Sequence, residues 1–176
     1  MGGTPVDHRT AMAAALDAAR DALAAGEVPV GAAVWKANGL LAVAGNRREQ
    51  DQDPCGHAEI IALRMAAKSV GDWRMPEGTW LSVTLEPCPM CAYAIREARI
   101  SGVAYGADDP RRGGAGSLYH LLGDPRLGPA IPVVAGVEVD AASALLERFF
   151  AERRGSFGGG VSEPGCTSRT RNAVGG

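Results

Sequence analysis

The chain has 176 residues, of which 46% are hydrophobic and 22% charged, a balance that is ordinary for one globular domain and excludes overall disorder. Its formal net charge is −2 at pH 7, so the generally positive surface of a protein that holds nucleic acid mainly through phosphates is missing. The first ten residues carry no secretory signal and no run of eighteen apolar residues occurs, which predicts a soluble, cytoplasmic protein without a membrane partner.

The first predicted elements are a helix and a hairpin. Residues 8–25 carry apolar side chains at three- and four-residue steps, which indicates an amphipathic helix, and Gly26 ends it. Two short apolar runs follow at 28–35 and 40–44. The turn between them contains Asn38-Gly39, so the two runs are predicted to pair as antiparallel strands.

The middle of the chain alternates between helices and strands. The polar segment 46–56 predicts a loop. A helix is predicted over 58–68, which is rich in Ala, Leu, Met and Ile, and a strand over 79–85. A second helix over 90–99 and a strand over 100–105 complete this part.

The last part of the chain begins with a glycine-rich surface loop at 106–116 and a predicted short helix at 117–122. A strand is predicted over 132–139, and Asp140 is a plausible N-cap for a final helix. The apolar stripe of that helix consists of Leu145, Leu146, Phe149 and Phe150.

Strands that alternate with helices after an antiparallel pair predict an α/β layered domain with a mixed sheet and helices on both faces. The domain is expected to occupy residues 1–154. Residues 155–176 are rich in Gly and Ser without apolar periodicity, so we expect them to form a disordered tail.

The residues with the clearest chemistry form two motifs, His57-Ala58-Glu59 and Pro87-Cys88-Pro89-Met90-Cys91. Each motif falls at the start of a predicted helix, where free backbone N–H groups and the helix dipole favour thiolates over thiols. The spacing of Cys88 and Cys91 places both sulfur atoms on one face of a helical turn.

His57, Cys88 and Cys91 are a ligand set that suits zinc, and three protein ligands with one open position are typical of a catalytic zinc site. Such an ion lowers the pKa of a bound water toward about 7, and Glu59 is left free to move the proton. A structural zinc site would need a fourth ligand, for which Cys55 is the one candidate. A redox pair would leave His57 and Glu59 unexplained.

Four other residues of these types have weaker signals. Cys55 and Cys166 are predicted to be free thiols, and Cys55 is interpreted as a loop packing residue, a substrate contact or an adventitious metal ligand. His8 and His120 have no partners in the sequence, so they are interpreted as surface or boundary histidines.

On these residues the chain resembles the cytidine deaminase-like superfamily of CMP/dCMP deaminase zinc-binding type, and within it the tRNA adenosine deaminase-like branch. The pattern H-x-E…P-C-x-x-C is the known signature of zinc nucleobase deaminases. The resemblance covers roughly residues 8–154 and implies a three-layer α/β/α fold with a mixed five-stranded sheet, one zinc ion per chain, and a homodimer. The matching segments outside the signature are 26–32, 46–47, 84–88, 114–118 and 149–150.

The same resemblance implies residue roles. His57, Cys88 and Cys91 would bind zinc, and Glu59 would shuttle protons. Asn46 would contact the substrate base or ribose, or else would only cap its loop. The remaining groups implied to hold the substrate are the backbone N–H of Ala58, the carbonyl of Leu85 or Glu86, the side chains of Val28 and Val30, and the segment after Tyr105.

Three features depart from the tRNA branch. The chain has 127–132 in place of an Asn-His-Arg element, and Cys55 where Thr or Ser is usual. Residues 1–154 contain 16 Lys and Arg against 19 Asp and Glu, a net charge of −3. The arginines at 111, 112 and 126 are interpreted as part of a solvated loop.

Three functions therefore stay open. The first is a zinc-dependent hydrolytic deaminase that releases ammonia from a small nucleobase, nucleoside or related amino-heterocycle. The second is a tRNA-specific adenosine deaminase that converts wobble adenosine to inosine. The third is a non-catalytic zinc-stabilised scaffold, against which Glu59 argues because a scaffold has no use for a free carboxylate beside an open metal site.

Overall fold

A five-stranded mixed sheet, in the order β2-β1-β3-β4-β5, forms the centre of the computed structural model, which describes residues 7–157. A one-turn 3₁₀ helix, Pro125–Leu127, precedes the last strand. The other elements in chain order are α1 (His8–Ala24), β1 (Gly31–Lys36), β2 (Gly39–Gly45), α2 (Ala58–Val70), β3 (Trp80–Leu85), α3 (Pro89–Glu97), β4 (Gly102–Ala107), β5 (Val133–Val134) and α4 (Val139–Phe157).

Strand direction places the functional motifs at one edge of the sheet. Strand β1 runs antiparallel to both β2 and β3, whereas β3, β4 and β5 are parallel to one another. The carboxyl ends of β3 and β4 therefore lie side by side, and the chain enters α3 directly after β3. Ligand sites in open α/β sheets commonly lie at this edge.

Two apolar clusters hold helices against opposite faces of the sheet. On one face, Leu63 of α2 and Ile95 of α3 belong to a buried cluster that includes Leu81 of β3. On the other face, Met12 of α1 and Ala142 of α4 belong to a second buried cluster. The predicted three-layer α/β/α architecture is confirmed.

Helix α1 packs very closely on β1 because of a glycine. A Cβ atom at Gly31 would lie 1.9 Å from the carbonyl oxygen of Ala15. Any larger residue there would push α1 away from the sheet. Gly31 thus permits the close packing of α1 on β1.

The predicted short helix at 117–122 is wrong, since these residues form turns and an isolated bridge between Ala115 and His120. Their backbone N–H groups have other partners. Ser117 donates to the Glu86 carboxylate, and Tyr119 donates to the carbonyl of Gly113. The N–H of Leu121, which would bond to the carbonyl of Ser117 in a helix, donates instead to the carbonyl of Gly114.

The last strand and helix also differ from the prediction. Strand β5 contains only Val133 and Val134, because positive φ angles at Gly136 (76°) and Glu138 (54°) turn the chain. Helix α4 begins at Val139, and its first bond runs from Ala142 N–H to the Glu138 carbonyl, so Asp140 lies in the first turn and is not the N-cap.

The predicted apolar stripe of α4 is correct only in part. Phe149 is buried and Leu145 and Leu146 pack against the core, but Phe150 is exposed. Helix α4 continues to Phe157, past the predicted boundary at residue 154. Residues 158–176, with the rest of the predicted tail and Cys166, lie outside the described residues. Among the described residues, no helix is both long and apolar enough to span a bilayer.

Candidate active site

Both motifs occupy helix starts, as predicted. His57 is the N-cap residue of α2 and Cys88 the N-cap residue of α3, and neither side chain caps its own helix by a hydrogen bond. Pro89 occupies the first turn of α3, where its missing N–H costs nothing. The imidazole and the thiol are therefore free to face each other across the edge of the sheet.

The geometry of the three predicted ligands fits a zinc ion. His57 Nδ1 lies 3.6 Å from Cys88 Sγ and 3.4 Å from Cys91 Sγ, and the three ligand atoms all lie within 4.8 Å of one another. A tetrahedral zinc ion, with Zn–S of about 2.3 Å and Zn–N of about 2.05 Å, holds such atoms about 3.6 Å apart. The donor set of one nitrogen and two sulfurs also matches zinc chemistry.

The two thiols titrate very differently. A hydrogen bond from Cys91 and, to a lesser extent, one from His57 lower the pKa of Cys88 to about 4, against the effect of burial. The hydrogen bond to Cys88 and burial both raise the pKa of Cys91. Without metal the pair thus keeps one proton, and metal binding to both sulfurs would release it.

Glu59 is a buried carboxylate next to this ligand set. It lies in the first turn of α2, is only 3% exposed, and lines a cavity together with His57 and Cys88. Burial raises the pKa of Glu59 above its ordinary value. A carboxyl group with a raised pKa is suited to accept and return a proton near neutral pH.

The cavity measures about 80 Å³, well below the roughly 300–1,000 Å³ of pockets that enclose drug-sized ligands. It therefore admits one small ring system and leaves any larger part of a ligand outside. The residues that line it are Val28, Val30, Asn46, Arg48, His57, Glu59, Leu85, Glu86, Cys88, Asp109 and Arg112.

Most of the predicted substrate residues meet at this cavity. Val28, Val30, Asn46 and Leu85 line it, and so do Asp109 and Arg112 from the segment after Tyr105. Ala58 is fully buried at the first position of α2 and does not line the cavity. The contact predicted for its backbone N–H stays a prediction.

Glu86 has a role that sequence reasoning missed. Its carboxylate accepts backbone hydrogen bonds from Asp109, Ala115 and Ser117, each at 3.0 Å. Burial alone would raise the pKa of Glu86, but hydrogen bonds from Ser117, Asp109 and Ala115 outweigh it and lower that pKa. These hydrogen bonds hold the loop after β4 in place beside the cavity. The one sign of this role in the sequence was the position of Glu86, an acidic residue directly after a buried strand.

Glu27 was also missed. Only 1% of it is exposed, and its carboxylate accepts hydrogen bonds from Asn46 Nδ2 at 2.9 Å and from the Gln50 backbone N–H at 2.8 Å. The signal in the sequence was a single acidic residue within the otherwise uncharged segment 26–32. Glu27 links the approach to β1 with the loop that carries Asn46.

Two arginines, which we call the arginine rim, lie at the cavity, whose lining also includes the acidic residues Glu59, Glu86 and Asp109. Arg48 and Arg112 are exposed and line the cavity, and across residues 7–157 neither forms an ion pair. Arg47 and Arg126, in contrast, pair with Asp51 and Asp124. Arg112 is an exposed residue of a turn, which agrees with the solvated loop that the sequence suggested, and it also lines the cavity.

The other histidines and cysteines of the described region stay outside the metal cluster. Cys55 is half-buried and is not among the clustered ligands, so the structure supplies no four-ligand zinc site from residues 7–157. His8 packs against Trp80 and Trp35, with ring centroids 4.7 and 6.2 Å away. His120 is exposed, as expected.

Residues 5–107, more than half of the chain, match the family model of the cytidine and deoxycytidylate deaminase zinc-binding region. The chain belongs to this deaminase family. The predicted zinc cofactor and hydrolysis of a C–N bond are thereby confirmed, and the scaffold alternative is not supported.

The deaminase has relatives with a specific function. It is 41% identical over 143 residues to the tRNA-specific adenosine deaminase of Bacillus subtilis, across 81% of this chain and 88% of that protein. It is 42% identical over 141 residues to the protein of the same name from Haemophilus influenzae, across 80% and 81%. These relatives confirm the resemblance to the tRNA adenosine deaminase-like branch.

Solved structures of related enzymes share the fold of the deaminase. A structure from work on A-to-I editing by tRNA:A34 deaminases matches with a TM-score of 0.74 and 39% identity, covering 78% of this chain and 99% of that one. A guanine deaminase from Nitrosomonas europaea matches with a TM-score of 0.72 and 25% identity, covering 86% and 87%. The relatives favour the tRNA alternative over the small heterocycle that the sequence analysis placed first.

Proposed function

We propose that this protein is a tRNA-specific adenosine deaminase that converts wobble adenosine to inosine and releases ammonia. The observation that carries this proposal is an identity of 41–42% over four fifths of the chain to two proteins with that activity in their names. The small cavity with its arginine rim supports it. One base would enter the cavity while the phosphates around it stay outside.

The proposed mechanism assigns zinc binding to His57, Cys88 and Cys91. Zinc held there would supply an activated water at neutral pH, because the ion lowers the pKa of water toward about 7. Glu59 would accept a proton on its carboxylate and deliver it to N1 of the adenine ring. The oxygen of that water would meanwhile bond to C6. Glu59 would then take the remaining proton of this oxygen and pass it to the exocyclic amine, so that the C6–N bond breaks, ammonia leaves and C6 becomes a carbonyl carbon.

The size of the cavity fits a base taken out of its stack. Deaminases act on bases that are single-stranded or extruded, because the reacting carbon is inaccessible inside a duplex. A base in an anticodon loop is unpaired, so its extrusion costs less than the few kcal/mol needed in a helix. A loop nucleotide is therefore a better substrate for this cavity than a paired one.

Conversion of a synthetic anticodon stem-loop tests the proposal. Zinc-loaded protein is expected to convert a stem-loop with adenosine at the wobble position into the inosine product, and to leave the same stem-loop unchanged when the adenosine lies in the stem. Inosine is measured by nucleoside chromatography. Absence of conversion at low salt, where phosphate contacts are strongest, would contradict the proposal.

A free base such as guanine is the second candidate substrate. The likeness to the guanine deaminase of Nitrosomonas europaea and the small size of the cavity favour it. Ammonia release from guanine, adenine, cytosine and their nucleosides separates the two candidates. Turnover of a free base without stem-loop conversion would select the second.

The arginine rim provides a prediction about phosphate binding. The double substitution Arg48→Gln/Arg112→Gln is expected to raise KM for the stem-loop and leave kcat almost unchanged. The loss of two contacts to single-strand phosphates lowers the slope of log affinity against log salt concentration by about 1.4. The ratio of wild-type to variant affinity should therefore fall about sevenfold between 50 and 200 mM salt.

The matched control for this prediction is Arg126→Gln. Arg126 is exposed and paired with Asp124 outside the cavity, so its loss should leave KM and the salt dependence unchanged. Equal effects of the control and of the double substitution would show that the rim has no special role.

The homodimer and the cytoplasmic location implied above stay predictions. Large apolar side chains on α2, after its end and on α3 are about half exposed, and a second subunit would cover such side chains. These side chains are Met65, Trp73 and Tyr93.

A further inference from the structure

The buried carboxylate of Glu27 contacts a residue of the cavity through a hydrogen bond that has only one possible direction. An ionised carboxylate accepts hydrogen bonds and donates none. Glu27 Oε1 faces the Gln50 backbone N–H and Oε2 faces the Asn46 side chain at 2.9 Å. Asn46 must therefore turn its amide nitrogen, and not its oxygen, toward Glu27.

This constraint sets what Asn46 offers to a ligand. Within residues 7–157, nothing donates a hydrogen bond to Asn46 Oδ1, and this atom is not enclosed by protein. Asn46 is one of the residues that line the cavity, which brings its amide group within reach of a ligand there. A ligand meets this acceptor best with an N–H or hydroxyl group.

We propose that Glu27 is a positioning residue that fixes the orientation of the Asn46 amide, so that Oδ1 accepts a hydrogen bond from a donor of the bound nucleoside. The substrate named here rests on the proposed function. Glu27 touches no substrate itself. It acts through Asn46, and it determines the hydrogen-bonding polarity of one wall of the cavity.

The substitution Glu27→Gln reverses this polarity without changing volume. The Gln50 N–H can only donate, so the introduced glutamine must turn its oxygen toward Gln50 and its NH₂ group toward Asn46. Asn46 must then flip and offer its oxygen to that NH₂ group, which leaves its own NH₂ group facing the cavity. The NH₂ group of Asn46 would then face the N–H or hydroxyl donor of the substrate, and no hydrogen bond could form between them.

The loss expected for Glu27→Gln is about 5- to 150-fold in kcat/KM, which is the range for a polar group left facing an unsuitable partner. The loss should appear mainly in KM, because the proton transfers by Glu59 are untouched. Stem-loop conversion is the assay. The control is Glu49→Gln, which removes an exposed negative charge nearby and should leave kcat/KM unchanged.

A second substitution makes the test independent of general damage to the fold. In Glu27→Gln/Asn46→Asp, the NH₂ group of the introduced glutamine donates to the introduced aspartate, whose other oxygen again offers an acceptor to the cavity. The double variant is expected to be at least fivefold more active than Glu27→Gln. It should also exceed Asn46→Asp alone, in which two buried carboxylates face each other.

Wild-type activity of Glu27→Gln, or a double variant no better than the worse single variant, would overturn the inference. The side-chain amide NMR signal of Asn46 gives a readout without turnover, since its hydrogen bond to a carboxylate is lost in Glu27→Gln. If wild-type protein converts a free base and no stem-loop, the proposed function fails, and the same variants then test the polarity of Asn46 on that base.

Discussion

The substitution Glu59→Gln is expected to abolish most of the deamination while keeping the metal and the fold. Proton transfer by a positioned side chain contributes about 10²- to 10⁴-fold to a rate, and an amide cannot accept and return a proton. Glu59 is the carboxylate that lies 3% exposed in the cavity beside the ligand set. Single-turnover inosine formation should fall by that factor with little change in substrate affinity.

The fold of Glu59→Gln should be as stable as that of the wild type or more stable. Burial raises the pKa of Glu59, so the charged form carries a desolvation cost that a neutral amide avoids. Thermal unfolding and the zinc content by mass spectrometry measure both points. Glu97→Gln, an exposed change at the end of α3, is the control and should behave as wild type.

Two outcomes would contradict this role of Glu59. Turnover within tenfold of wild type would mean that another group moves the protons. A loss of zinc together with activity would mean that Glu59 contributes to metal binding, which its absence from the clustered ligand atoms argues against.

The elements that sequence reasoning placed well have local causes. Helix α1 follows from its apolar period, and the hairpin of β1 and β2 from the Asn38-Gly39 turn. The two metal motifs at helix starts follow from residue type and from Pro89. Each of these signals lies within a few residues of the element that it determines.

The features that were missed depend on distant partners. Glu86 accepts hydrogen bonds from N–H groups 23 to 31 residues away, and one of them belongs to Ser117 in the segment where a helix was predicted. Glu27 meets Asn46 across 19 residues and Gln50 across 23. No local pattern encodes such pairs, because loop closure by the whole fold brings them together.

Net charge is a weak guide to the substrate for a related reason. It sums over the chain, whereas a ligand responds to charges within about 8 Å at physiological salt. Glu59, Glu86 and Asp109 also line the cavity, but Arg48 and Arg112 have no ion-pair partner among the described residues. A mildly acidic protein can therefore present a cation pair to a phosphate backbone.

The substitution Cys91→Ser is expected to remove zinc and activity together while leaving a folded protein. Cys91 is wholly buried and belongs to the cluster of three ligand atoms, and a hydroxyl is a much poorer zinc ligand than a thiolate. The fold should survive because two apolar clusters pack helices on both faces of the sheet without help from the metal.

Zinc should nevertheless contribute to the stability of the wild type. A ligand present at 100 times its dissociation constant stabilises the native state by about 2.7 kcal/mol. A chelator should therefore lower the Tm of the wild type and have no effect on Cys91→Ser. Zinc content and thermal unfolding with and without chelator are the measurements.

The control for Cys91→Ser is Cys55→Ser, which also decides between two kinds of zinc site. Cys55 is half-buried, and its N–H bonds to Asp53 while its thiol stays outside the ligand cluster. Cys55→Ser should keep zinc, activity and the response to chelator. Loss of zinc in this variant would instead indicate a closed four-ligand site, and a closed site leaves no coordination position for the water that deamination requires.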